Sequence, residues 1–116
     1  AMNVKYERQL KKGVLEIIVL QLLSKEKMYG YQLIMTMKEL SQGMFEMREG
    51  TLYPILYRLE DDGLVKSEWS EQKDKEISRK YYKITEEGQK TLIELRSLWH
   101  DFSKNVNQIL GDNDDE

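Results

Sequence analysis

Residues 50–64 read GTLYPILYRLEDDGL, and within that stretch Leu52, Ile55, Leu56 and Leu59 recur at i, i+3, i+4 and i+7. That spacing predicts an amphipathic helix with one apolar stripe. Gly63 supplies the stop, and Pro54 fits only near the start, because proline lacks the amide that an interior position must donate. On a helical wheel the face opposite the stripe carries Gly50, Pro54 and Tyr57, flanked by Thr51, Tyr53 and Arg58. Small residues at the amino end permit close approach of a phosphate, where free amides and the positive end of the dipole already favour one. The hydroxyls of Thr51, Tyr53 and Tyr57 are donors to phosphate oxygens, and Arg58 suits either a phosphate or a guanine edge. Glu60, Asp61 and Asp62 crowd the carboxyl end, so a polyanion would be met amino end first. The same face also fits an ordinary surface helix with two half-buried tyrosines, and this helix alone does not separate the two readings.

The flanking sequence gives the helix its setting. Upstream, Leu10, Val14, Ile17 and Ile18 lie at helical spacing, with Leu15, Val19, Leu22 and Leu23 in the neighbouring sector, which predicts a buried first helix apolar around most of its circumference. A second helix is expected from Tyr29 or Gly30, with Leu33, Met37 and Leu40 on one face. Downstream, LVKSEW (64–69) and KYYKI (80–84) read as two antiparallel strands joined by a polar tip that carries Lys73, Lys75, Arg79 and Lys80. Thr85, followed by Glu86 and Glu87, marks the start of a last helix running to about Leu110. The order helix, helix, helix, strand, strand, helix predicts a mainly α chain with a small antiparallel β wing. The expected organisation is a winged helix-turn-helix over 4–84, a C-terminal dimerisation helix over 85–110 and a disordered acidic tail over 111–116.

Composition narrows the function. At 116 residues, 40% hydrophobic and 34% charged, the chain suits one small domain with one added element, not a two-lobed enzyme. The net charge of −3 argues against a nucleic-acid partner only until its distribution is considered. Four acids, Asp112, Asp114, Asp115 and Glu116, fall in the last five residues, and the remainder is slightly basic. Local excesses of Lys and Arg occur at Lys5, Arg8, Lys11 and Lys12 and again along the predicted wing. With no cysteine, disulfides and thiolate metal sites are excluded, and a reducing cytoplasm is the expected compartment. The longest apolar run, 14–23, is interrupted by Glu16 and Gln21 and is too short to span a membrane.

The last helix carries the sharpest physical pattern. Leu92, Leu95, Trp99, Phe102, Val106 and Ile109 are spaced 3, 4, 3, 4, 3, an unbroken a/d seam. A small core has little spare surface to cover it, so the expected partner is a second copy of the chain, giving a homodimer. Purely intramolecular packing is the competing explanation. Trp99 lies mid-seam, where a flat aromatic near a two-fold axis either stacks on a planar ligand or serves as plain interface core. Catalysis finds no foothold: His100 is the sole histidine, Asp61 and Asp62 point in different directions on a helix, and no phosphate-cradling glycine loop occurs. Neither a metal nor another cofactor is expected.

MYGYQL (28–33), EGTLYPILYRLEDDGLV (49–65), SEW (67–69) and RKYYKITEEG (79–88) together resemble the PadR family of bacterial transcriptional regulators. The resemblance spans roughly residues 10–110, and the second and fourth blocks, in this order and separation, are specific to it. It implies a homodimer that binds double-stranded DNA at an inverted-repeat operator through its wings and third helices, usually as a repressor released by a small molecule. The DNA-facing set is then Tyr31, Gly50, Thr51, Tyr53, Pro54, Tyr57, Arg58, Lys73, Lys75 and Arg79. The single short C-terminal helix is similar to that of multidrug-responsive members, in which a tryptophan at the position of Trp99 receives flat aromatic drugs. A winged-helix adaptor that binds protein instead of DNA is the alternative, and the weak net charge favours it slightly.

Overall fold

A computed structural model describes residues 4–71 and 77–112. Along the chain run α1 (Val4–Lys12), α2 (Leu15–Lys25), β1 (Met28–Tyr29), α3 (Gly30–Leu40), α4 (Glu49–Asp61), β2 (Val65–Trp69), β3 (Lys80–Ile84) and α5 (Glu86–Leu110). The three strands form one antiparallel sheet in the order β1-β3-β2, with Met28 opposite Tyr82 and Ser67 opposite Tyr82 on its other side.

The core lies where α2, α3 and α4 meet this sheet. Val19, Leu20, Leu33, Leu52, Leu56, Leu59, Val65 and Tyr82 are its fully buried side chains. The stripe of α4 is therefore buried as expected. Strand alternation is equally plain: Val65 and Ser67 point inward, while Lys66 and Glu68 point out, where Glu68 meets Lys27 and Lys83 at 3.6 Å each.

Three expectations need correction. The predicted first helix is two helices, broken at Gly13 and Val14, and Leu10 is exposed instead of buried. Glycine is a poor helix former, and the residues before it are too polar to reward burial, so only α2 enters the core. On α3, Leu33 and Met37 are buried but Leu40 lies beyond the core and is exposed. The wing sheet gains a third strand, β1, too short for any alternation to announce it.

The ends of α4 and α5 follow ordinary capping chemistry. Gly63 has φ of 77°, and the Leu64 N–H donates to the Leu59 carbonyl at 2.9 Å, which ends α4 in a left-handed turn. Pro54 is the sixth residue of α4, so the Gly50 carbonyl has no amide to accept from at the usual position. At the other end of the molecule α5 continues for 25 residues, about 37 Å at 1.5 Å per residue. Only Gly88 and Leu92 of it are buried. The radius of gyration of 16.3 Å accordingly exceeds the roughly 13 Å of a compact chain this long.

Candidate nucleic-acid interface

Burial of Leu52, Ile55, Leu56 and Leu59 fixes the rotation of α4 and leaves Gly50, Thr51, Pro54, Tyr57 and Arg58 exposed. Four of these, Gly50, Thr51, Pro54 and Tyr57, are the small or hydroxyl-bearing residues of the predicted outward face. Tyr31, the second residue of α3, is exposed as well. Tyr53 is different: it is half-buried, packs against the core and lies 5.9 Å from the Tyr57 ring, tilted by 37°. Its hydroxyl end fills the space where Gly30 lacks a Cβ. Arg58 is engaged within the chain, its Nη2 donating to Glu16 Oε2 at 2.8 Å and its Nε to the same oxygen at 3.1 Å. This cross-helix pair was not foreseen, because nothing in the pattern of residues 14–23 distinguishes Glu16 from any other exposed acid.

The wing brings cations to the same side as α4. Lys80 lies 5.8 Å above the Tyr57 ring and 5.5 Å from that of Tyr82, which bridges β3 to α4. Arg79 sits 4.5 Å over Tyr29, whose ring meets Tyr81 edge-on at 5.4 Å. The neck of the wing is closed by hydrogen bonds: Ser70 N–H to the Arg79 carbonyl, Arg79 N–H to Ser70 Oγ, both at 2.8 Å, and Ser78 Oγ to the Ser70 carbonyl at 2.9 Å. Arg79 is thus held at a defined place beside Tyr29, whereas Lys73 and Lys75 lie outside the described residues. Tyr82 closes the floor between wing and helix. It is fully buried, its hydroxyl has no hydrogen-bond partner, and burial, with smaller effects of Tyr57, Glu60 and Tyr53, pushes its pKa up to about 12.

On α5 the predicted seam divides. Leu92 is buried and Leu95 packs against the chain's own core, so both are already used. Trp99, Phe102, Val106 and Ile109 are exposed, joined by Leu98 and Leu110. Trp99 and Phe102 stand 6.3 Å apart. Exposed apolar side chains also occur on α1, at Val4, Tyr6 and Leu10. Among the described residues no cluster of His, Cys, Asp or Glu is placed to hold a metal, and no helix is long and apolar enough to cross a membrane.

Comparison with known proteins bears on this arrangement. Residues 19–94 match the transcriptional regulator PadR-like family. The chain is similar to a solved transcriptional regulator from Clostridium thermocellum, 30% identical with a TM-score of 0.79, over 86% of this chain and 96% of that one. It is also similar to a PadR family transcriptional regulator from Eggerthella lenta, 37% identical with a TM-score of 0.75, over 90% and 88% of the two chains. Among curated proteins it is 31% identical to the transcriptional regulator YqjI of Escherichia coli across 72% of this chain, which spans 38% of YqjI.

Proposed function

The chain belongs to the PadR-like family of transcriptional regulators, and from that membership we propose that it is a homodimeric repressor of an inverted-repeat operator, released by a small planar aromatic effector. The observation that carries the proposal is the open apolar stripe Trp99, Phe102, Val106 and Ile109 on a helix whose other end is anchored in the reading domain. Covering that stripe with a second copy gives two α4 helices related by a two-fold axis, the symmetry of an inverted repeat. Gly50, Thr51, Pro54 and Tyr57 enter the groove amino end first. Tyr31 and the wing, with Arg79 at its base and Lys73 and Lys75 at its tip, hold the flanking backbone. Tyr53 supports α4 from beneath, its hydroxyl end seated against Gly30. The protein acts in the cytoplasm, the compartment of its DNA.

Effector release follows from the same seam. A planar compound stacked on Trp99 and its symmetry mate changes the spacing of the two α5 helices, and with it the spacing of the two α4 helices. Retardation of the DNA upstream of its own gene, at low salt and with the protein dimeric, is the expected result; no retardation under those conditions overturns the reading. Titration with planar aromatic compounds is expected to quench Trp99 fluorescence. Because Trp69 is also exposed, the titration belongs in a Trp69→Phe background, and an unchanged signal there argues against the effector site.

A further inference from the structure

Helix α1 buries no residue, yet its two faces differ in kind. Tyr6 and Leu10 lie on one side and are exposed. Val4, Arg8, Lys11 and Lys12 lie on the other, where they wall a groove of about 320 Å³ whose far side is formed by Phe45, Met47 and Thr51. Thr51 belongs to the first turn of α4, so the groove opens beside the surface that the proposed function sets against DNA. Its charges are not equivalent. Lys11 is half-buried, paired with Glu7 at 2.5 Å and placed 5.4 Å over the Phe45 ring, so it is spent on holding α1 in position. Arg8 and Lys12, one helical turn apart, are exposed and make no ion pair among the described residues. With Glu7 neutralised by Lys11, only Glu46 opposes them in the groove.

We propose that Arg8 and Lys12 form a second phosphate-contacting strip, through which α1 grips the DNA backbone beside the groove entered by α4. The inference rests on the DNA-binding reading above and adds a surface to it. Charge complementarity and direct continuity with Thr51 select the DNA backbone as the occupant. Set beside the groove that α4 enters and not within it, the strip meets phosphates instead of base edges and adds affinity without sequence preference. Its release of counterions appears in the salt dependence of binding, which separates it from a packing role.

The test compares the wild-type protein with the R8Q/K12Q variant on a short mixed-sequence duplex and on the DNA upstream of its gene, across a range of salt. Each lost phosphate contact removes about 0.9 from the slope of log Kobs against log salt, so the double variant, which loses two contacts in each protomer of the dimer, is expected to be shallower by about 3.6. The ratio of affinities for the two duplexes is expected to stay the same. An unchanged slope overturns the strip while wild-type binding still stands; if the wild-type protein itself binds neither duplex at low salt, it is the DNA-binding reading that fails. Sedimentation of the variant completes the test. Loss of affinity that tracks dissociation of the dimer also overturns the strip, since α1 would then serve the subunit interface instead.

Discussion

The Thr85 hydroxyl donates to the Gly63 carbonyl at 2.7 Å and accepts from the Gly88 N–H at 3.0 Å, so one side chain joins the first turn of α5 to the turn that ends α4. The Thr85 N–H adds a bond to the Leu64 carbonyl at 2.9 Å. Gly88 completes the joint by its smallness, because a Cβ there would run into the Leu64 carbonyl oxygen, a backbone atom with nowhere to go. Thr85→Ala is expected to cost about 1 kcal/mol, the usual value of a helix cap. Gly88→Ala is expected to cost on the order of 1–3 kcal/mol by overpacking, although alanine within a helix ordinarily gains about 1 kcal/mol over glycine. Urea unfolding distinguishes the two, and a Gly88→Ala protein as stable as wild type would show that α5 is not seated on Leu64.

A second close approach makes a complementary prediction about α3 and α4. Gly30 opens α3 directly beneath the Tyr53 hydroxyl end, with the ring filling the place of a side chain. Gly30→Ala is expected to destabilise the chain by roughly 1–3 kcal/mol and to displace the ring. In a Tyr53→Ala background the same change should be neutral or slightly favourable, since the obstacle is gone and alanine suits a first helical turn. Equal effects in both backgrounds, measured by denaturant midpoints, would dissociate Gly30 from Tyr53.

The sequence revealed those parts of the fold that repeat with a period. Leu52, Ile55, Leu56 and Leu59 announced α4 and its rotation, and the short β-forming runs at 64–69 and 80–84 on either side of a polar stretch announced the wing. What escaped depended on tertiary placement. Leu10 shares a periodicity with α2 but belongs to a separate helix, because Gly13 breaks the run before it reaches the core. Leu92 and Leu95 continue the heptad of Trp99 and Ile109, yet the point where intramolecular burial gives way to exposure is set by how far the core reaches. The site was legible in the same measure. Exposure of Gly50, Thr51, Pro54 and Tyr57 followed from the wheel, whereas the seating of Tyr53 on Gly30 and the Arg58–Glu16 pair join segments distant in sequence.

Tyr82 gives an alkaline limit to stability. Its pKa rises from 10.0 in the unfolded chain to about 12 in the fold, chiefly through burial. The folded state therefore holds the proton more tightly than the unfolded state, a stabilisation complete below pH 10 and lost as pH rises from 10 through 12. At about 1.4 kcal/mol per unit the loss is about 2–3 kcal/mol. Tyr82→Phe removes both the titration and a buried hydroxyl without a partner, so at neutral pH it is expected to be neutral or mildly stabilising. Comparing urea midpoints of the two proteins at neutral and alkaline pH isolates this residue from the other tyrosines. A wild-type protein that loses no more stability than Tyr82→Phe would show the phenol to be solvated.

Arg58 tests the proposal that α4 meets DNA, because Glu16 already occupies its guanidinium. Both side chains are about half exposed, and an exposed pair of this kind contributes roughly 0–1 kcal/mol to stability. Arg58→Ala should therefore leave the thermal midpoint nearly unchanged. Its effect on operator binding then reports contact with DNA: a loss of about 1–3 kcal/mol confined to the specific site if Arg58 reads a base, or an even loss on every duplex if it holds a phosphate. Glu16→Gln frees the guanidinium and is expected to tighten binding in either case. If Arg58→Ala and Glu16→Gln weaken binding alike, the pair serves to position α4, and Arg58 does not touch DNA.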